Sequence, residues 1–331
     1  MTAIAPAVSG THVRSMGLDF LRATCILYIV GYWHLIPYTT AFPTYSNWLT
    51  EGLKYVALAT FTLCSGYLLA GQRIALTRAG LWAFYRRRLL RIYPLYLVAA
   101  ILFGLVGIAS WSQVANGALL IAMVQPPALP TLWFVAMIML FYLVAPLLIR
   151  IADKPLLLIL ATFSAMSLLL LEHLLIARID LRIVMYLPVF ALGILYRQQP
   201  GLGAFLERYR WPLLALALLC LPLSRLGSEW SVGGALLIVP LLLASAAVML
   251  LFSERAAALF HGPTIAFLAY ASFGLYLFHR LVFKAAIAVY FPTEGWEQAL
   301  YLLALGLPAA ILVGYGVQRG YDRLVAAWSL P

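Results

Sequence analysis

The sequence predicts an all-α, polytopic membrane protein with about ten transmembrane helices and both termini cytoplasmic. Three observations carry that expectation. Apolar residues make up 65% of the 331 and charged residues only 10%, against roughly 45–50% and about 25% in a soluble chain, and the mean hydropathy is +0.98. The apolar residues gather into runs long enough to cross a bilayer, which takes about 20 residues per helix. The basic residues fall between those runs with a bias toward one side. This pattern excludes an ordinary cytosolic enzyme, a disordered protein and a nucleic-acid-binding domain. The net charge of +11 reads instead as orientation signals and as contacts for anionic membrane lipids.

Taken in order, the apolar runs lie near 17–37, 52–71, 92–110, 131–149, 156–175, 183–196, 212–224, 231–252, 264–290 and 298–317. They are rich in Leu and Ala and lack the alternation of strands. Residues 1–15 are polar, and the run that follows is too long for the apolar core of a cleavable signal, so it reads as the first membrane helix. The sixth and seventh runs are short, and a weaker apolar piece at 113–124 reads as interfacial or re-entrant. No soluble domain, linker or internal repeat stands out, so 1–331 reads as a single membrane-embedded domain. With ten spans and the N-terminus inside, fifteen of the 22 Lys and Arg, Arg14 and Arg73 among them, fall on the inner side. Only Arg178, Arg182 and Arg225 fall outside, while Arg22, Lys54, Arg280 and Lys284 lie within or beside spans. That bias sets the orientation, and a bacterial-type inner or plasma membrane is the expected location. The three cysteines, Cys25, Cys64 and Cys220, sit inside apolar stretches with no metal-ligand spacing, so no metal site is expected.

Ionisable side chains inside a span cost several kcal/mol, so each is a functional candidate. In the first run, Asp19 and Arg22 lie one turn apart and can pair. His34 lies about 18 Å further along the axis than Arg22. It is either an interfacial residue beside Tyr32 and Trp33 or a buried neutral base able to accept a proton. In the second run, Cys64-Ser65-Gly66 permits close helix packing, and a serine nucleophile is the weaker alternative because Leu63 stands where such a site wants glycine. Arg86, Arg87, Arg88 and Arg91 crowd six positions at the inner mouth of the third run. They serve either as an anchor or as bidentate phosphate ligands. Tyr276, His279 and Arg280 share one helix face in the ninth run, as a hydrogen-bond network or as part of a site.

Together these segments resemble acyltransferase family 3, the integral-membrane acyltransferases that modify glycans, lipids and some natural products. The matching segments are Asp19-Phe20-Leu21-Arg22 leading to His34, Phe61 through Gly66-Tyr67, Arg88-x-x-Arg91-Ile92-x-Pro94, Leu132-Trp133-Phe134 with Tyr142 and Pro146, and Ser272 through His279. They run in family order over most of the chain. The resemblance implies a ten-helix core, an essential histidine at His34 with Arg22 as its first-helix arginine, and a cytoplasmic Arg88/Arg91 element, with Arg87 beside it, that handles acyl-CoA. Tyr276 and His279 fit the family's late Tyr-x-x-His pattern. Family members commonly place the histidine eleven residues after the arginine. Here the interval is twelve, which rotates the pair by about 100° on a regular helix, and a bulge or kink near Gly31 would restore the alignment.

The expected activity is O-acyl transfer from cytoplasmic acyl-CoA, acetyl-CoA first, to a hydroxylated acceptor: a glycan, a lipid-linked glycan or a small metabolite. In that scheme the arginines hold the CoA phosphates, His34 is general base or transient acyl carrier, and His279 and Tyr276 orient the acceptor or stabilise the oxyanion. A transporter or flippase is the competing class. Polar residues in mid-span suit a substrate pathway, and Pro126-Pro127, Pro130, Pro188, Pro222 and Pro240 would permit broken helices.

Overall fold

The computed structural model describes residues 15–72, 74–260 and 262–328. Arg14 and Arg73, two of the basic residues counted on the inner side, lie outside the described residues. The chain forms α1 (Met16–Tyr28), α2 (Trp48–Ala70), α3 (Arg78–Leu105), α4 (Trp111–Ala118), α5 (Trp133–Ile151), α6 (Pro155–Ile176), α7 (Leu181–Gln198), α8 (Pro200–Arg208), α9 (Arg210–Leu223), α10 (Val232–Phe260), α11 (Pro263–Val289), α12 (Gly295–Tyr301) and α13 (Leu307–Trp328). No strand occurs among the described residues. A five-residue π-helical turn, Ile29–Trp33, follows α1 directly, and a second one, Leu302–Gly306, joins α12 to α13.

Among the described residues nine helices are long and apolar enough to cross a membrane. They coincide with every predicted run except the seventh. That run forms α9, whose 14 residues rise about 21 Å, short of a hydrocarbon core of about 30 Å. The 113–124 piece forms the short helix α4 and a turn after it. Helix α4 is strapped to α3 by the hydroxyls of Tyr93 and Tyr96, which donate to the carbonyls of Ala118 and Gly117. Pro126, Pro127 and Pro130 lie in the connection to α5, whereas Pro188 and Pro240 sit inside helices that continue through them and Pro222 is the last residue but one of α9.

Local chemistry fixes the helix starts. Asn47 accepts from the backbone N–H groups of Leu49 and Thr50, and the Thr50 hydroxyl accepts from Asn47 N–H, a reciprocal cap that opens α2. Thr77 caps α3 and Asp180 caps α7. Inside the bundle, the hydroxyls of Thr60, Thr62, Ser65 and Thr162 donate to the carbonyl four residues earlier. Small polar groups are thus satisfied within an apolar helix. This disposes Ser65 as a packing residue, consistent with the tight-packing reading of its segment.

Two glycine contacts set the helix spacing. A Cβ on Gly66 would stand 2.2 Å from the Phe190 carbonyl oxygen, and one on Gly193 would stand 2.2 Å from the Leu63 carbonyl oxygen. Helices α2 and α7 therefore touch backbone to backbone, as small residues permit in membranes. Gly274 of α11 and Gly314 of α13 meet in the same way, with a Gly274 Cβ falling 2.2 Å from the Gly314 carbonyl. Gly193→Ala should lower detergent-solubilised stability by about 1–3 kcal/mol, the usual cost of overpacking. Gly201→Ala, where nothing lies within 4 Å of the added carbon, should leave the thermal midpoint unchanged; equal midpoints for both variants would contradict the close crossing.

Candidate active site

The site begins with the turn at Ile29–Trp33. The His34 N–H donates to the Ile29 carbonyl at 2.9 Å, a five-residue step that takes up one residue more than an α-turn. Twelve residues between Arg22 and His34 then occupy the phase of eleven. Both side chains consequently meet the same neighbour. Arg22 Nη2 donates to Ser272 Oγ of α11 at 3.0 Å, and His34 Nδ1 lies 3.0 Å from Nε2 of His279 on α11. The bulge falls around Gly31, where the sequence called for one. An added Cβ there would face a Leu307 methyl at 3.1 Å, just past the second π-helical turn.

His279 is fully buried, its ring nearly parallel to that of His34 with centroids 4.9 Å apart. Its Nδ1 lies 2.9 Å from the Tyr276 carbonyl and 3.1 Å from the Leu275 carbonyl. Carbonyls only accept, so this nitrogen carries a proton. In the neutral ring Nε2 is then an acceptor, and His34 Nδ1 must donate to it. The proton chain leaves Nε2 of the half-buried His34 with a lone pair and no partner inside the pair. Through this bond an imidazole positions an imidazole, the place a carboxylate takes in many acyl-transfer sites.

Tyr276 is buried and its hydroxyl donates to the Thr131 carbonyl at 2.5 Å. This ties α11 to the residues just before α5 and engages the phenolic proton with backbone. Its ring packs edge-on to Phe134 at 6.1 Å. Arg280, half-buried, donates from Nε to the Tyr38 hydroxyl at 3.2 Å.

The predicted arginines divide. Arg87 and Arg91 are exposed, whereas Arg88 is half-buried. Its guanidinium carbon stands 5.8 Å from the Phe84 ring centroid and 5.9 Å from that of Tyr142, and its Nε is buried without a hydrogen-bond partner among the described residues. Tyr142 and Phe134 are eight residues apart on α5, about 12 Å along its axis. Helix α5 therefore connects the Arg88 end to the histidine pair. One turn past Tyr142, Pro146 lines a cleft of about 750 Å³ that also holds Gln72, Arg150 and Arg197.

Sequence reasoning did not assemble a second set of groups. Lys54 is buried among Glu51, Glu229, Trp33 and Tyr55, and Arg182 is buried between Trp133 and Trp230. The available signal was a lysine three residues after a glutamate at the start of an apolar run. Among the described residues no cluster of three or more His, Cys, Asp and Glu side chains could hold a metal ion.

A family model described as an acyltransferase domain, that of acyltransferase family 3, matches residues 16–319. Comparison with curated proteins and with solved structures found no match. The matched stretch covers nearly all of the chain, so this protein belongs to acyltransferase family 3 and is an acyltransferase of groups other than amino-acyl groups. Nothing found favours the transporter alternative.

The bulge generates a phase test. Deleting Gly31 should straighten the helix while keeping Arg22 and His34 in register, so acyl transfer should persist. Inserting an alanine after Val30 should turn His34 by about 100° and abolish transfer. The opposite ranking of the two variants in a turnover assay would refute the alignment.

Proposed function

We propose that this chain is an integral-membrane O-acyltransferase that moves an acyl group, acetyl first among candidates, from cytoplasmic acyl-CoA to a hydroxyl at or across the membrane. The acceptor class is a glycan, a glycolipid or a small hydroxylated metabolite, and the location is a bacterial-type inner or plasma membrane. The observation that carries the reading is the histidine pair, whose hydrogen bond uses Nδ1 of His34 and leaves its Nε2 outside the pair, in a bundle that also presents Arg88 with a buried Nε unpartnered among the described residues.

The physical problem is to bring a phosphate-bearing donor and a hydroxyl together without carrying the phosphates through lipid. Arg88, with a buried unpartnered Nε, offers a fork suited to phosphate oxygens. The neighbouring cleft, with Arg150 and Arg197 against the single carboxylate Asp153, gives the nucleotide end a net basic surface. The slender thioester arm then follows α5 past Tyr142 toward Phe134 and Tyr276. Arg87 and Arg91, both exposed, add long-range attraction and contacts with lipid headgroups.

His34 Nε2 takes the proton of the acceptor hydroxyl as its oxygen attacks the thioester carbonyl. The C–S bond breaks, and the proton passes from His34 to the departing CoA sulfur. During the step His34 is positively charged. Its Nδ1–H remains bonded to His279 Nε2, so the charge is spread toward the Leu275 and Tyr276 carbonyls. Arg280 lies within electrostatic reach of His34 and offsets negative charge on the reacting carbonyl oxygen. Arg22 and Tyr276 act through position, Arg22 by holding Ser272 and Tyr276 by holding Thr131.

Purified protein in lipid nanodiscs with acetyl-CoA tests this. His34→Ala should lower acyl transfer by about 10²–10⁴-fold, the usual range for loss of a general base, with donor binding retained. Arg88→Ala should weaken donor binding by about 1.5–3 kcal/mol, as for a lost hydrogen bond to a charged group. Wild-type turnover by His34→Ala would end the base assignment, and unchanged donor affinity in Arg88→Ala would remove the phosphate assignment.

A further inference from the structure

Acyl transfer from a thioester places negative charge on the carbonyl oxygen, and a hydrogen-bond donor aimed at that oxygen speeds the step. The sequence pointed to Tyr276, yet its phenolic proton is engaged by the Thr131 carbonyl. Tyr28, Tyr32 and Tyr301 likewise donate to the carbonyls of Thr50, Tyr45 and Ala286.

Tyr38 is the opposite case. It ends the short 3-10 turn Ile36–Tyr38, four residues after His34. Arg280 Nε donates to its hydroxyl at 3.2 Å. A guanidinium has donors and no acceptor, so the Tyr38 oxygen is the acceptor and its own proton points elsewhere. Among the described residues nothing accepts that proton. The side chain is only half-buried, which leaves part of it open to a bound molecule.

The hydroxyl belongs to the surroundings of the histidine pair. Arg280 follows His279 directly and lies within electrostatic reach of His34. The buried Phe283 ring meets the Tyr38 ring edge-on at 5.9 Å and the His279 ring edge-on at 5.8 Å, and His279 stacks on His34 at 4.9 Å. Tyr38 and both histidines thus gather around residues 279–283 of α11. The carboxylates Glu51, Asp180 and Glu229 pair with Lys54, Arg182 and Arg225. Arg280 has no ion-pair partner among the described residues, so its charge stays available to a negative charge that develops in the reaction.

We propose that Tyr38 is a further catalytic residue, whose O–H donates to the thioester carbonyl oxygen, and that Arg280 acts through it as a positioning residue. The inference rests on the acyl-transfer reading above. As the attacking oxygen bonds to the carbonyl carbon, the C=O electron pair moves onto the carbonyl oxygen and the Tyr38 hydrogen bond strengthens. The proton stays on Tyr38. The pair returns as the C–S bond breaks and CoA leaves. Arg280 Nε–H draws charge from the phenolic oxygen and makes it the better donor, because chained hydrogen bonds polarise one another.

Two readouts on nanodisc protein test this. Steady-state release of CoA from acetyl-CoA, with water as the acceptor, gives kcat and KM. Tyr38→Phe keeps the ring against Phe283 and should lower kcat about 10²–10³-fold, the usual loss of one such donor, with KM unchanged. Arg280→Gln should also lower kcat, but add little in the Tyr38→Phe background, as coupled residues do. Infrared difference spectra of carbonyl-¹³C acetyl-CoA bound to His34→Ala protein, which holds the donor without turnover, read the bond itself. The carbonyl stretch should lie below its solution frequency and return toward it when Tyr38→Phe is added; this arm decides alone if water proves too poor an acceptor. Unaltered kcat in Tyr38→Phe, or a stretch indifferent to that change, would overturn the assignment and leave His34 as base untouched. Equal losses from Arg280→Gln in both backgrounds would overturn its action through Tyr38. No bound carbonyl signal at all would overturn this inference together with the acyl-CoA reading beneath it.

Discussion

The hydrogen bond between His34 Nδ1 and His279 Nε2 is the constraint around which the rest of the bundle is arranged. It joins residues 245 positions apart, and it exists only because several features agree. The π-helical turn at Ile29–Trp33 turns His34 toward α11. The carbonyls of Leu275 and Tyr276 hold the far nitrogen of His279 and so dictate which way the bond runs. The Gly274–Gly314 contact seats that same stretch of α11 against α13, and the Tyr276–Thr131 bond seats it against the approach to α5. A side chain that must present a lone pair in a reproducible direction needs this kind of support, because an imidazole free to rotate would divide its proton between two nitrogens.

Charge is handled differently at the two ends. In an apolar bundle a cation needs partners, and aromatic faces recur in that role: Phe84 and Tyr142 for Arg88, Trp133 and Trp230 for Arg182, Trp33 and Tyr55 for Lys54, Tyr38 for Arg280. These contacts stabilise a guanidinium or ammonium group without using all its hydrogen-bond donors. At the Arg88 end the adjoining cleft sets Arg150 and Arg197 against one carboxylate, Asp153. Near His34 the carboxylates Glu51, Asp180 and Glu229 pair with Lys54, Arg182 and Arg225, and Arg280 is a further cation bonded to the Tyr38 hydroxyl.

Much of this was legible beforehand because the sequence states burial and charge directly. Run lengths located nine spans, and the shortness of 212–224 reappears as the short helix α9. The i, i+3 spacing put Tyr276 and His279 on one interior face. The extra residue between Arg22 and His34 demanded a bulge near Gly31, and a five-residue π-helical turn lies there. What remained hidden depends on contacts between distant segments. No periodicity announces that His279 accepts from His34, since that follows from two carbonyls and the crossing of α1 and α11. Arg87, Arg88 and Arg91 look equivalent in a string of arginines, yet only the position of α5 turns Arg88 inward against Tyr142. Arg182 read as an outer-loop charge because its indole partners lie about 50 residues to either side.

The most direct measurement is the protonation pattern of the two rings. Protein labelled with ¹⁵N histidine, with resonances assigned through single His34→Gln and His279→Gln variants, reports which ring nitrogens carry protons. The account predicts a proton on Nδ1 of both rings and a bare Nε2 on His34. A spectrum with the His34 proton on Nε2, or with the two rings uncoupled so that replacing one leaves the other's shifts unmoved, would contradict it.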